Sequence, residues 1–104
     1  MGEFVRVGKT SEIAEQHAKC YEVRGRSVAV FNLGGEFYAI DDLCTHEEGP
    51  LSEGYIENGR VECPWHAAWF DIKTGKALTE PAYEDQPVFN IRVVGDDLEV
   101  EIDD

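Results

Sequence analysis

The runs Cys44-Thr45-His46 and Cys63-Pro64-Trp65-His66 decide how this sequence is interpreted. Each run contains one cysteine and one histidine, and sixteen residues separate His46 from Cys63. The chain has 104 residues with three cysteines and three histidines, so two of each type fall within these two short runs. Two thiolates and two imidazoles make a complete set of donors for a metal. We therefore predict that Cys44, His46, Cys63 and His66 bind a metal centre.

Two kinds of metal centre fit these four donors. Zinc accepts two cysteines and two histidines, but it usually pairs cysteine with cysteine and histidine with histidine, two to four residues apart. Here each pair is mixed, and a single residue separates Cys44 from His46. In a [2Fe–2S] cluster of Rieske type, two histidines replace two cysteines on one of the irons. Mixed pairs on two loops would supply that arrangement, so the pattern favours the iron–sulfur cluster and leaves zinc as the alternative.

The two runs resemble the cluster-binding loops of the Rieske iron–sulfur family. Gly49-Pro50-Leu51-Ser52-Glu53-Gly54 and Trp69-Phe70-Asp71, followed by Thr74-Gly75, are similar to segments of small bacterial Rieske-type ferredoxins. The resemblance covers essentially the whole chain. It implies one Rieske-type [2Fe–2S] cluster, a single domain over residues 1–104, and a smaller cluster-binding subdomain over about residues 43–79.

Short alternating segments separated by turns predict an all-β fold. Gly34-Gly35, Asn58-Gly59 and Gly95-Asp96-Asp97 each indicate a tight turn between two strands. The run from Thr10 to Gln16 offers a brief helical turn, with Thr10 or Ser11 as its cap. We predict an antiparallel β-sandwich or barrel into which the cluster-binding subdomain is inserted. The predicted strands are Glu3 to Val7, Cys20 to Val23, Ser27 to Asn32, Glu36 to Ile40, Tyr55 to Ile56, Arg60 to Glu62, Val88 to Val94 and Leu98 to Ile102.

The amino-acid composition limits which partners and which cellular location we expect for the protein. Twenty-two acidic against nine basic residues give a net charge of −13. This balance disfavours nucleic-acid binding, which needs a basic patch, and it suits steering toward basic patches on protein partners. The chain has no apolar run long enough to span a membrane, and its N-terminal residues lack a signal-peptide pattern. We therefore expect a cytoplasmic protein that binds neither nucleic acid nor membrane.

One cysteine and one histidine lie outside the two runs. Cys20 sits in a strand-like segment and is predicted to be a small buried or half-buried residue without a ligand or redox role. His17 lies in the polar run Glu15-Gln16-His17-Ala18-Lys19 and is predicted to be a surface residue.

The resemblance also implies a subtype. High-potential members of the family join the two loops by a disulfide and place a serine and a tyrosine hydroxyl near the cluster. The matching positions here hold Gly49 and Trp65 instead of the disulfide, and Ala68 and Phe70 instead of the hydroxyls. Hydroxyl donors stabilise the reduced cluster, so their absence implies a low-potential carrier.

The function implied by this resemblance is that of a monomeric one-electron carrier. It would take electrons from a flavin-dependent, NAD(P)H-dependent ferredoxin reductase and pass them to the terminal oxygenase of a bacterial ring-hydroxylating system. The chain itself is not expected to be an enzyme, because a mononuclear iron site would need two further histidines and His17 is the only one left. The alternatives are the small Rieske subunit of an assimilatory nitrite reductase and a zinc-stabilised interaction module.

Overall fold

The computed structural model describes residues 2–43, 50–64, 68–79 and 85–103. Within these ranges the chain forms ten strands and two short 3₁₀ helices, Thr10–Glu12 and Leu51–Glu53. The strands are β1 (Gly2–Lys9), β2 (His17–Val23), β3 (Arg26–Leu33), β4 (Glu36–Asp41), β5 (Tyr55–Glu57), β6 (Arg60–Glu62), β7 (Trp69–Asp71), β8 (Val88–Phe89), β9 (Ile91–Val94) and β10 (Asp97–Asp103).

The strands form three antiparallel sheets. Their orders are β1-β10-β9, β2-β3-β4-β8 and β5-β6-β7. This arrangement confirms the predicted all-β, antiparallel fold. The third sheet spans residues 55–71 and therefore lies inside the range 43–79 that was predicted to form the cluster-binding subdomain. The extent of that subdomain stays a prediction.

Strand β3 is the centre of the fold. Five consecutive residues, 28 to 32, are buried, because both faces of this strand are covered. Successive side chains of a strand point to opposite faces, so Ala29 and Phe31 join one core while Val28 and Val30 join another. The ligand-side core contains Ala29, Phe31, Ile40, Leu51, Val61, Cys63, Ala68, Phe70 and Ile72. The opposite core contains Ile13, Val23, Val28, Val30, Ala39, Leu98, Val100 and Ile102.

The four-stranded sheet is thus a middle layer. The sheet β1-β10-β9 supplies the opposite core, and the sheet β5-β6-β7 supplies much of the ligand-side core. A continuous apolar strand such as β3 is what a doubly covered layer requires. The third sheet therefore packs on β3 and β4 and is held there chiefly by burial of apolar surface.

The predicted single strand from Val88 to Val94 is wrong, because the chain changes sheets at Asn90. Val88 and Phe89 pair with β4, whereas Ile91–Val94 pairs with β10. Asn90 anchors this change: its Nδ2 donates to Glu101 Oε1 at 2.8 Å, and its carbonyl accepts from the Glu101 N–H at 2.8 Å. Alternation of side chains continues through Asn90, so periodicity alone gives no sign that the partner strand changes.

The predicted helical turn is also shorter than expected. The 3₁₀ helix ends at Glu12, and its N-cap is Lys9 without a side-chain cap hydrogen bond, so Thr10 and Ser11 are not the cap. Glu12 accepts a hydrogen bond from the Tyr21 hydroxyl at 2.8 Å, which ties this turn to β2. The remaining strands occur close to their predicted positions, and β7 is an additional strand that the sequence analysis did not predict.

Gly54 allows the chain to pass close to β6 between the second 3₁₀ helix and β5. A Cβ at this position would collide with the carbonyl oxygen of Glu62. Glu62 immediately precedes Cys63, so the close approach brings the residues after Pro50 against the strand that leads to the second pair of predicted ligands.

Candidate metal centre

The first pair of predicted ligands lies in a segment whose two ends are held together. We call residues 44–49 the first ligand segment. Leu43 and Pro50, which flank it, form an antiparallel β-bridge. Below this bridge, the Asp42 carbonyl accepts from the Leu51 N–H at 2.7 Å, and Asp42 Oδ1 accepts from the Ser52 N–H at 2.7 Å. Asp42 is 4% exposed, so these bonds are shielded from water.

The second pair of predicted ligands is held at its base in a similar way. We call residues 64–67 the second ligand segment. Cys63 and Ala68 flank it, and the Cys63 N–H donates to the Ala68 carbonyl at 2.7 Å. Next to this bond, Glu62 of β6 pairs with Trp69 of β7. The second ligand segment is therefore the connection of a β-hairpin, and the hairpin fixes where it begins and ends.

The bases of the two segments share one core. Leu51, which follows the first segment, packs in the ligand-side core with Cys63 and Ala68, which flank the second segment. Leu51 and Ala68 are 0% exposed and Cys63 is 1% exposed. The packing of these three residues brings the two chain segments, which are distant in sequence, to the same end of the molecule.

Residues 85–87 form hydrogen bonds both to the turn after β7 and to the end of β4. Asp85 Oδ1 accepts from the Ala77 N–H at 2.9 Å, and the Gln86 N–H donates to the Gly75 carbonyl at 2.6 Å. The Pro87 carbonyl accepts from the Asp41 N–H at 2.9 Å. The stretch thus links the turn after β7 to the end of β4, where the first ligand segment begins. No local sequence pattern predicts these contacts, so residues 85–87 could not be recognised from the sequence.

Of the four predicted ligands, only Cys63 lies among the residues that the structure describes. Cys63 lies in the ligand-side core, whereas Cys44, His46 and His66 lie outside the described residues, as do Gly49 and Trp65. Within the described ranges, His, Cys, Asp and Glu side chains form no group of three that could hold a metal ion. The residues nevertheless fit a bound cluster: a buried cysteine lies in the core shared by the residues that flank the two segments, the first segment carries a thiol and an imidazole donor, and the second carries an imidazole donor.

The two residues outside the ligand runs both lie on β2. His17 is exposed, as predicted, and its Nδ1 lies 2.9 Å from the Glu15 carbonyl oxygen. Cys20 is exposed, so the prediction of a buried or half-buried cysteine is wrong. Its partner on the neighbouring strand is Ala29, and β2 is the edge strand of the middle sheet, at the margin of that face.

The described strands define an all-β, antiparallel fold in which residues flanking the two ligand segments share one core. The model of the Rieske [2Fe-2S] domain matches residues 3–93 of the chain. The chain belongs to the Rieske [2Fe–2S] family. Its cofactor is accordingly a Rieske-type [2Fe–2S] cluster, which confirms the prediction made from the donor pattern and removes zinc as the alternative.

Individual relatives point to the ferredoxins of this family. The 3-phenylpropionate/cinnamic acid dioxygenase ferredoxin subunit of Shigella boydii serotype 4 (strain Sb227) is 49% identical over 76 residues, which cover 72% of each chain. The ferredoxin of carbazole 1,9a-dioxygenase from Nocardioides aromaticivorans IC177 superposes with a TM-score of 0.89 at 29% identity, covering 93% of this chain and 95% of that one. These similarities confirm the prediction of an electron-transfer component rather than a catalytic oxygenase.

Two further structures bear on partners and on the alternative function. A chain of the complex of reduced oxygenase and oxidized ferredoxin in carbazole 1,9a-dioxygenase has a TM-score of 0.88 at 30% identity, covering 93% of this chain and 91% of that one. A putative NADH-dependent nitrite reductase small subunit from Mycobacterium tuberculosis has a TM-score of 0.89 at 17% identity, covering 100% and 98%. The latter similarity shows the fold alone.

We expect Cys20 to react slowly with alkylating reagents despite its exposure. Desolvation by its neighbours, and after it the nearby carboxylate of Asp42, raise the pKa of the Cys20 thiol to about 12. The thiolate is the reactive form, so a raised pKa leaves little of it near pH 8. Iodoacetamide labelling of the folded protein, followed by mass spectrometry, should be at least roughly tenfold slower at Cys20 than for free cysteine and should accelerate as the pH rises.

Asp42→Asn provides the matched variant. The amide keeps an oxygen that can accept from the Ser52 N–H but removes the negative charge, so labelling of Cys20 should become faster. The control is Glu15→Gln, which removes an exposed carboxylate that does not act on Cys20. Labelling of the unmodified protein at the rate of free cysteine would contradict this account of the Cys20 environment.

Proposed function

We propose that Cys44 and Cys63 bind one iron and that His46 and His66 bind the other, so that the chain acts as a low-potential one-electron carrier. The observation that supports this proposal is the core shared by Leu51, Cys63 and Ala68, which flank the two ligand segments, with Cys63 buried in it. When bound, the cluster accepts and returns one electron. We also propose that residues 43–79 form the cluster-binding subdomain of a single domain over residues 1–104.

The mixed donor set suits a carrier of electrons. Two thiolates and two neutral imidazoles carry two fewer negative charges than four thiolates would. Adding an electron is therefore less costly than in a four-cysteine site, and Rieske centres accordingly have higher potentials than plant-type ferredoxins. The imidazoles of His46 and His66 would also give the electron a short route to a docked partner.

Within the range open to Rieske centres, we place this chain at the low end. Ala68 and Phe70 are 0% exposed and lie in the ligand-side core beside Cys63. Neither side chain has a hydroxyl that could donate to a cluster sulfur or to the sulfur of a ligand. The reduced state therefore lacks the stabilisation that such donors supply in high-potential members.

The proposed partners are a flavin-dependent ferredoxin reductase and a terminal ring-hydroxylating oxygenase. The support is the similarity to a dioxygenase ferredoxin subunit and to a structure that contains a ferredoxin and an oxygenase. Surface charge agrees with transient docking to basic surfaces. Each arginine of the chain has a carboxylate oxygen within 4.0 Å, so its positive charge is locally balanced and the surplus acidic charge determines the long-range field. The arginines are Arg6, Arg24, Arg26, Arg60 and Arg92.

The proposal extends to the form and the location of the protein. We propose a monomer, because a carrier must meet its donor and its acceptor in turn through small contacts. We propose a cytoplasmic location, because thiolate ligands suit a reducing compartment. The described part of the chain contains no helix long and apolar enough to cross a membrane.

The nitrite reductase alternative is less well supported. Its representatives resemble this chain in fold at identities below 20%, whereas the dioxygenase ferredoxin subunit reaches 49%. Copurification of the chain as a permanent subunit of a sirohaem enzyme would favour the alternative instead.

The ligand assignment can be tested by single substitutions that use the remaining cysteine and histidine as controls. Cys63→Ser and His66→Ala should reduce the iron content to less than roughly a tenth of the wild-type two irons and two labile sulfides per chain, with loss of the reddish-brown colour. Cys20→Ser and His17→Ala change the same residue types on β2 and should retain full iron and sulfide. Retention of the cluster in His66→Ala, or its loss in His17→Ala, would contradict the assignment.

The midpoint potential tests the proposed subtype. We expect a value on the order of −150 mV, at the negative end of the Rieske range, measured by protein-film voltammetry. Ala68→Ser should raise this value if the new hydroxyl reaches the cluster, because a donor stabilises the reduced state. Ala29→Ser adds a hydroxyl to the same core from β3 and should leave the potential unchanged. A positive midpoint in the unmodified protein would contradict the low-potential proposal.

A further inference from the structure

The side chain of Gln86 is a buried amide at the junction between β4 and the first ligand segment. It is 2% exposed. Its Nε2 donates to the Asp41 carbonyl at 2.8 Å and to the Leu43 carbonyl at 2.9 Å. A side-chain amide nitrogen has two N–H donors, so both are used on these two carbonyls.

The sequence of the neighbouring strand explains why an amide is needed here. The ladder between β4 and β8 pairs Ala39 with Phe89 and Ile40 with Val88, and the next pair in register is Asp41 with Pro87. The Asp41 N–H donates to the Pro87 carbonyl at 2.9 Å. The reciprocal bond is impossible because proline has no N–H. Gln86 Nε2 supplies the donor that the Asp41 carbonyl would otherwise lack.

The second bond of this amide reaches the peptide that opens the first ligand segment. The Leu43 carbonyl belongs to the planar peptide group that joins Leu43 to Cys44. A hydrogen bond to that oxygen restrains the plane of the peptide. It therefore restrains the point from which the segment with Cys44 and His46 starts.

The main chain of Gln86 is fixed from the other side. Its N–H donates to the Gly75 carbonyl at 2.6 Å, in the turn that follows β7. Gly75 has a φ of +76°, and a Cβ on it would collide with the Gln86 carbonyl oxygen. The turn after β7 continues from the hairpin that carries the second ligand segment. The main chain of Gln86 is therefore bonded to that hairpin's continuation, and its side chain is bonded to the start of the first ligand segment.

We propose that Gln86 is a positioning residue that sets the placement of the first ligand segment relative to the second and thereby tunes the cluster. This inference rests on the proposed ligand set. Gln86 acts through the Leu43 and Asp41 carbonyls rather than by contact with the cluster. The inference predicts that loss of the amide changes the properties of the bound cluster beyond what loss of stability alone produces.

The test compares two buried side-chain amides, that of Gln86, which lies two residues before β8, and that of Asn32 in β3. Gln86→Met keeps the length of the side chain but removes both donors. The matched control is Asn32→Leu. Asn32 is 6% exposed, its Nδ2 donates to the Ile13 carbonyl at 2.8 Å, and its Oδ1 accepts from the Gly35 N–H at 2.8 Å. Neither partner flanks a ligand segment. The readouts on cluster-loaded protein are the melting temperature, the rate of iron release to a chelator, and the electron paramagnetic resonance spectrum of the reduced protein.

We expect both variants to melt at lower temperature, since each removes two hydrogen bonds made by a buried side chain. When the two variants are compared at the same decrease in melting temperature, Gln86→Met should release iron roughly tenfold faster than Asn32→Leu. Only Gln86→Met should show displaced or broadened g values. Gln86→Asn, whose amide is one methylene shorter, should show the same changes to a smaller degree and provides the measurement if Gln86→Met does not fold.

Two results together would overturn the inference and make Gln86 a purely structural residue. The g values would be unchanged, and the rate of iron release would depend on melting temperature in the same way in the Gln86 and Asn32 variants. Failure of the proposed ligand set is a separate outcome, because it would appear in the unmodified protein as the absence of a Rieske-type spectrum.

Discussion

The burial of Leu51, Cys63 and Ala68 in one core is the interaction on which the site depends. These residues bring together the ends of two segments that are well separated in sequence, and they do so by burial of apolar surface rather than by a covalent link. The family resemblance implies that high-potential members carry a disulfide between the two loops, whereas the matching positions in this sequence are Gly49 and Trp65. In this chain the ligand-side core and the hydrogen bonds around it must provide the restraint.

The middle sheet makes that core possible. Both faces of β3 are covered. Ala29 and Phe31 pack in the core with residues of the third sheet, and Val28 and Val30 pack in the core with residues of the β1-β10-β9 sheet. The hydrogen bonds of Asp42 and of Gln86 then fix the exit from β4, where the first ligand segment begins. Apolar packing thus brings the residues that flank the two segments into one core, and buried polar groups restrain the chain at the start of the first segment.

The sequence was informative where the chemistry or the pattern is local. The paired cysteines and histidines predicted the cofactor because few metal centres use such donors at such spacing, and Asn58-Gly59 predicted the hairpin between β5 and β6. The change of sheet at Asn90 could not be predicted, because side chains keep alternating while the hydrogen-bond partner changes. The role of Gln86 was equally hidden. It depends on Pro87 lying opposite Asp41, a register that is known only once β4 and β8 are paired.

We propose that His46 and His66 bind the same iron. Electron–nuclear double resonance of the reduced protein, with all three histidines labelled with ¹⁵N, measures this directly, because only nitrogens bound to the cluster couple strongly to its unpaired electron. We expect two strongly coupled histidine nitrogens, from His46 and His66, with His17 contributing none. A spectrum with no strongly coupled nitrogen, or with only one, would contradict the claim.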